Sequence, residues 1–177
     1  MEKLFIILSI VGCIGFSGKD QELVRLIDNT QWTLTSFTAD DPFTEMQPTA
    51  FECEPGNYGT EFYGDDVWFS IQTDKCNYIT ISQPLLKDVR QGDYITINIF
   101  HFSLTAPANS QANLALAVGN EVVWQTAIPI PSNSGAVLEA FQATSDYAAG
   151  TPVIFHIDNH GQNSYHLIDI VLGDYSR

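Results

Sequence analysis

The chain has 177 residues, of which 45% are hydrophobic and 12% aromatic, and its 21 acidic against 7 basic side chains give a formal charge of -14 at neutral pH. That apolar and aromatic content excludes a disordered chain. The acidic excess excludes nucleic acid as a partner, because affinity for phosphate backbones comes from Lys and Arg. Solubility, or cations held at acidic loops, are the natural uses of such a charge.

In chain order, residues 4–11 form a short apolar run behind Met1, Glu2 and Lys3, followed by Gly12, Cys13, Ile14, Gly15, Phe16, Ser17 and Gly18. The run is too short for a membrane span, which needs about 20 apolar residues. It has the length of a signal core followed by small residues, so residues 1–18 are expected to be a signal segment and the domain to be exported. Ile10, Val11, Gly12 and Cys13 resemble the lipobox of bacterial lipoproteins. That resemblance implies that Cys13 becomes the first mature residue, carries lipid and forms the chain's only membrane contact. Cleavage after Gly15 or Ser17 is the other reading. A single acyl chain anchors marginally, and two or more signals anchor stably.

Once Cys13 is lipidated or lost, Cys53 and Cys76 remain as an even pair. In an oxidising compartment the pair is expected to close as a disulfide, the alternative being two buried thiols. Residues 19–30 read as a short helical tether. Leu23, Val24, Leu26 and Ile27 share a helical face, and Asp20 stands as N-cap.

Residues 31–177 read as strands. Runs of alternating polarity rich in β-branched and aromatic residues fall at 32–39, 67–73, 77–83, 94–104, 112–118, 121–128, 136–143, 152–158 and 165–172. Gly119 and Asn120 mark a hairpin suited to a type II′ turn. In the longest run, Ile95, Ile97 and Ile99 point one way and Phe100, Phe102 and Leu104 the other. A bulge near Phe100 or burial on both faces would each explain the switch. The spacing of turns predicts an all-β, two-sheet antiparallel sandwich, and nothing alternates strand with helix.

The stretch Gln91, Gly92, Asp93, Tyr94, Ile95, Thr96, Ile97 resembles a strand of the galactose-binding-like jelly rolls, which include many carbohydrate-binding modules. The small apolar strand Leu114, Ala115, Leu116, Ala117, Val118 follows in the order found there. The last strand is similar to that family's aromatic and Ile-Asp-Asp pattern, with Asp169 at the first Asp and Ile170 in place of the second. The resemblance implies a jelly roll that binds sugars or serves as an attached module, often with one structural calcium near the first and last strands. Fold likeness alone does not give function.

Four constellations carry candidate chemistry. Residues 40–66 are acidic and hold no Lys or Arg, so a calcium site from Asp40 or Asp41 with Asp169 is conceivable, a solvated loop being the plainer reading. Residues 155–166 read as a hairpin with its loop at 159–164. Turn chemistry accounts for its Asn and Gly residues. As a ligand site it offers Asn159, His160, Asn163, Tyr165 and His156, the mix of amides, imidazoles and an aromatic ring that sugar recognition needs. Zinc suits three imidazoles in principle, but the usual ligand spacings are absent. Trp32, Trp68 and Trp124 are stacking platforms or, more naturally, core or half-buried sheet surface. No catalytic motif is present, and the neighbouring carboxylates Asp65 and Asp66 would face opposite sides of a strand.

The function expected is a non-catalytic ligand-binding module at a membrane or cell surface, with a glycan or protein partner. The alternative is a structural or protein-interaction lipoprotein of the envelope. A hydrolase ranks third.

Overall fold

The structure, a computed structural model, describes residues 23–36, 38–159 and 162–175. The signal segment with Cys13 and the loop residue His160 lie outside them. The strands are β1 (Val24–Arg25), β2 (Thr33–Leu34), β3 (Tyr58–Tyr63), β4 (Asp66–Gln72), β5 (Tyr78–Pro84), β6 (Tyr94–His101), β7 (Ser110–Val118), β8 (Glu121–Ile130), β9 (Gly135–Gln142), β10 (Pro152–Asn159) and β11 (Ser164–Leu172). One turn of 3-10 helix covers Thr44–Met46.

Sheet A runs β3-β4-β11-β6-β9, with β1 paired to β11, and sheet B runs β2-β5-β10-β7-β8. Every pairing is antiparallel. From β4 on, the chain threads the sheets so that β4, β11, β6 and β9 face β5, β10, β7 and β8. This is the strand order of a jelly roll, two Greek keys closed face to face. The expected fold class is what the chain adopts.

Alternation decides which side chains meet. Phe69 and Ile71 of β4, Ile95, Ile97 and Ile99 of β6, and Tyr165, Leu167 and Ile170 of β11 turn inward from sheet A. They meet Ile79 and Ile81 of β5, Leu114 and Leu116 of β7, and Val153, Phe155 and Ile157 of β10. Burying one such side chain contributes roughly 1.5–3 kcal/mol, so this double row is the main source of stability. Trp124 closes the β8–β9 side, its indole N–H donating to Glu139 across the sheets at 2.7 Å. Cys53 and Cys76 form a disulfide.

Three expectations are corrected. The helical tether is not a helix in its described part: Val24–Arg25 extends along β11, and Leu26 and Ile27 enter the core. A two-residue strand lets both apolar neighbours be buried without a helical face. The switch at Phe100 involves no bulge in β6, which pairs with β9 in unbroken register from Tyr94 to His101, and no burial on both faces: Ile95, Ile97 and Ile99 face the core, while Phe100 is half-buried and Phe102 exposed. The irregularity lies on β11, between Leu167 and Asp169. There the Asn29 side-chain amide donates to the carbonyls of Val67, Leu167 and Ile168 at 2.8–3.1 Å. Finally, β10 and β11 are no hairpin. Each is a central strand of a different sheet, so the turn between them crosses the sandwich and His156 and His166 face opposite sides of the molecule.

Candidate functional site

Over β5, β10 and β7, the outer face of sheet B is covered by the chain itself. From the loop between β2 and β3, Phe43 packs on Ala115, Ala117 and Ile154. Its ring stacks on His156 with centroids 4.6 Å apart. The Asp41 carboxylate accepts from the Phe43 amide at 2.9 Å and from the Tyr78 hydroxyl at 2.8 Å. His156 Nδ1 lies 2.9 Å from the Thr80 hydroxyl, and its Nε2 is buried without a partner. Burial pushes the His156 imidazole down to about 4, against the pull of the Asp41 charge.

The outer face of sheet A carries rings that remain in contact with solvent. Hairpin β3–β4 turns at Gly64 and Asp65, with Gly64 at φ 67°, a left-handed position that favours glycine. This places Glu61 and Tyr63 beside Trp68 and Ser70. The Tyr63 and Trp68 rings are 4.2 Å apart. Phe100 of β6 and Phe102 just beyond it meet edge to face at 5.1 Å. Between the pairs stands His166 of β11, with Tyr63, Trp68, Phe100 and Phe102 at 6.2, 5.8, 6.0 and 5.5 Å. Tyr63 is 44% exposed and Phe102 55%, whereas His166 is 3% exposed.

Polar groups line the same face. His166 Nδ1 lies 2.7 Å from the Ser70 hydroxyl, Tyr63 donates its hydroxyl to Glu61, and Ser164 bonds Gln72. Glu61, Ser70 and Gln72 also border a groove of about 150 Å³ along β3. The Tyr63 hydroxyl bond holds the Glu61 carboxyl below its usual range. Burial pushes the His166 imidazole down, partly opposed by the Glu61 charge. The indole N–H of Trp68 and Nε2 of His166 are buried without protein partners. An unmade buried hydrogen bond costs about 1–3 kcal/mol.

The residues expected to form a ligand site at 156–166 are placed differently. Asn159, Asn163, Tyr165 and His156 are all buried. Tyr165 points into the core, where burial raises its hydroxyl pKa. The two amides organise the crossover. Asn159 donates to the Thr73 hydroxyl, Asn163 donates to Asn159, and the Thr105 amide donates to Asn163 Oδ1 at 2.6 Å. They serve the turn rather than a surface, because a crossover between central strands has backbone groups to satisfy. Gln162 does reach a cleft of about 540 Å³ with Glu52, Thr73, Asp74, Asn77 and Thr105.

Asp40, Asp41 and Asp169, weighed from the acidic region as a calcium site against a solvated loop, do not assemble. Asp40 and Asp41 sit in the cover over sheet B, and Asp169 lies on the outer side of sheet A, where it accepts from the Tyr175 hydroxyl at 2.9 Å. A hard cation needs several oxygens at once. The described residues contain no cluster of three His, Cys, Asp or Glu able to hold a metal. Of the tryptophans, Trp124 is core, Trp32 is half-buried against Phe69, and Trp68 is the half-buried surface ring of sheet A.

Tyr63, Phe102 and Glu61 were not among the ligand-site residues expected from sequence. The signal was present in β3: Tyr58, Thr60 and Phe62 alternate with Gly59, Glu61 and Tyr63 just before a Gly-Asp turn.

No family model and no curated protein matches the chain. Among solved structures, the chain is similar to the enzymatically active domain of bacteriophage CBA120 tailspike protein 4, with TM-score 0.48 and 11% identity. That match covers 84% of this chain and 21% of the other, so the chain spans about a fifth of the tailspike chain. It is also similar to a family 16 carbohydrate-binding module, with TM-score 0.43, 8% identity, and coverage of 66% of this chain and 86% of the other. A third is TmCBM61, solved in complex with β-1,4-galactotriose, with TM-score 0.42, 8% identity, and coverage of 85% and 98%.

Proposed function

We propose that this domain is a non-catalytic glycan-binding module whose contact surface is the outer face of sheet A. The observation that supports it is the ring cluster of Tyr63, Trp68 and Phe102 around His166, bordered by Glu61, Ser70 and Gln72. Sugar rings present an apolar C–H face and a rim of hydroxyls. A half-exposed aromatic ring stacks against the first, and carboxylate, amide and imidazole groups bond the second. Attachment through a lipid on Cys13 belongs to the same reading, and mass spectrometry of the mature N-terminus tests it: an unmodified residue after Cys13 overturns it.

The binding test is a glycan array followed by titration of the best ligand into the wild type, Tyr63→Ala and Phe102→Ala, with folding checked by circular dichroism. Loss of one stacking ring is expected to weaken binding about tenfold. Wild-type affinity in both variants, or no glycan bound by the wild type, overturns the proposal. Capture of a protein partner without glycan binding would favour the interaction-protein alternative.

A further inference from the structure

We infer that the open face of sheet A sorts glycans by charge, rejecting chains that carry carboxylate or sulfate groups and accepting neutral or amino-bearing ones. This rests on the glycan-binding reading and names the ligand class of that site.

Strands β3, β4, β6, β9 and β11 contain no Lys or Arg. Arg25 on β1 acts on Asp28 and Asp169. Beside the rings stands Glu61, kept ionised by the Tyr63 hydroxyl. Asp66 lies exposed beside the turn of the same hairpin, and its charge reaches Asp169.

The group that could have offset these acids is His166, at the centre of the cluster. It is 3% exposed, its Nε2 is unpartnered, and burial favours its neutral form. In that neutral form it brings no positive charge to a carboxylate. The ring faces carry negative quadrupole density, which repels anions and attracts ammonium groups. The chain's charge of -14 adds a field of the same sign. The carboxylates of Glu61 and Asp66 and the ring faces are thus unfavourable to an anion, and these strands carry no Lys or Arg to oppose them.

The test uses the full chain and matched probes. Neutral β-1,4 oligosaccharides of the gluco, manno and galacto series are each titrated beside their C6-oxidised uronates, and the gluco series also beside its 2-amino counterpart. Calorimetry is run at low and high salt. At low salt each uronate is expected to bind about tenfold or more weakly than its neutral parent, and the amino form at least as tightly. High salt should narrow the gap, because exposed charges are screened. Glu61→Gln and Asp66→Asn should narrow it at low salt. A uronate that binds at low salt as well as its neutral parent overturns the inference and leaves the glycan-binding reading standing. Failure of every glycan to bind, on the array as in these titrations, overturns both.

Discussion

On the outer face of sheet B, His156 bonds Thr80 through Nδ1, leaves Nε2 unpartnered and lies under Phe43. On the outer face of sheet A, His166 bonds Ser70 through Nδ1, leaves Nε2 unpartnered and lies among four aromatic rings. The two strands place the same imidazole arrangement on opposite sides of the sandwich. The difference is in what lies above each. The loop between β2 and β3 seals the first with a buried phenylalanine and is tied to the start of β5 by Cys53–Cys76. The second keeps Tyr63 and Phe102 about half exposed. A jelly roll has two outer faces to manage. Here the chain spends one segment on covering one face, so the other's rings are free to meet a partner. Stability should therefore be sensitive on the sheet B side and binding on the sheet A side.

The largest way to break that comparison is Phe43→Ala. It removes a 4% exposed ring from Ala115, Ala117 and Ile154. The expected loss is about 3–4 kcal/mol, read by urea unfolding, with glycan affinity unchanged. A loss below about 1 kcal/mol would show that the cover is not part of the stable structure.

Acid is the next probe. Burial favours neutral His156 in the fold, lowering its pKa from 6.5 to about 4. Between those values the unfolded chain binds the extra proton. This contribution is present above pH 6.5, is lost as pH falls towards 4, and amounts to up to about 3 kcal/mol. His156→Gln should flatten the stability profile over that window relative to wild type. An identical slope in the variant would assign the acid sensitivity elsewhere.

The fold was legible in the sequence where periodicity was strict. The in-facing isoleucines of β6, the Gly119-Asn120 turn and the central strands β7 and β10 follow from alternation and turn residues. The pairing of β10 was not legible. A turn of Asn, Gly and Ser between two apolar strands looks the same whether the strands pair or pass to opposite sheets, and only the long-range partners β5 and β4 decide. That one ambiguity misplaced the candidate site. It made residues 155–166 look like a hairpin, and it made amides that tie the crossover look like ligand contacts. The disulfide followed from counting cysteines, whereas the covering role of Phe43 had no signature beyond an isolated aromatic in an acidic loop.

The smallest expected effect sharpens the comparison most. Tyr63 has two roles on the open face: its ring lies 4.2 Å from Trp68, and its hydroxyl donates to Glu61. Tyr63→Phe keeps the ring and releases the carboxylate. Because Tyr63 is 44% exposed, the lost hydrogen bond should cost under about 1 kcal/mol of stability. Without that bond the Glu61 carboxyl should titrate closer to its ordinary value, since the Tyr63 hydroxyl is the leading cause of its depression. NMR titration of the Glu61 side chain reads this directly. If the ring is the platform, Tyr63→Phe should hold a neutral glycan within about threefold of wild type while Tyr63→Ala does not. Equal losses in the two variants would instead assign the contact to the hydroxyl and its carboxylate. Binding at this face would then depend on the polar pair rather than on stacking.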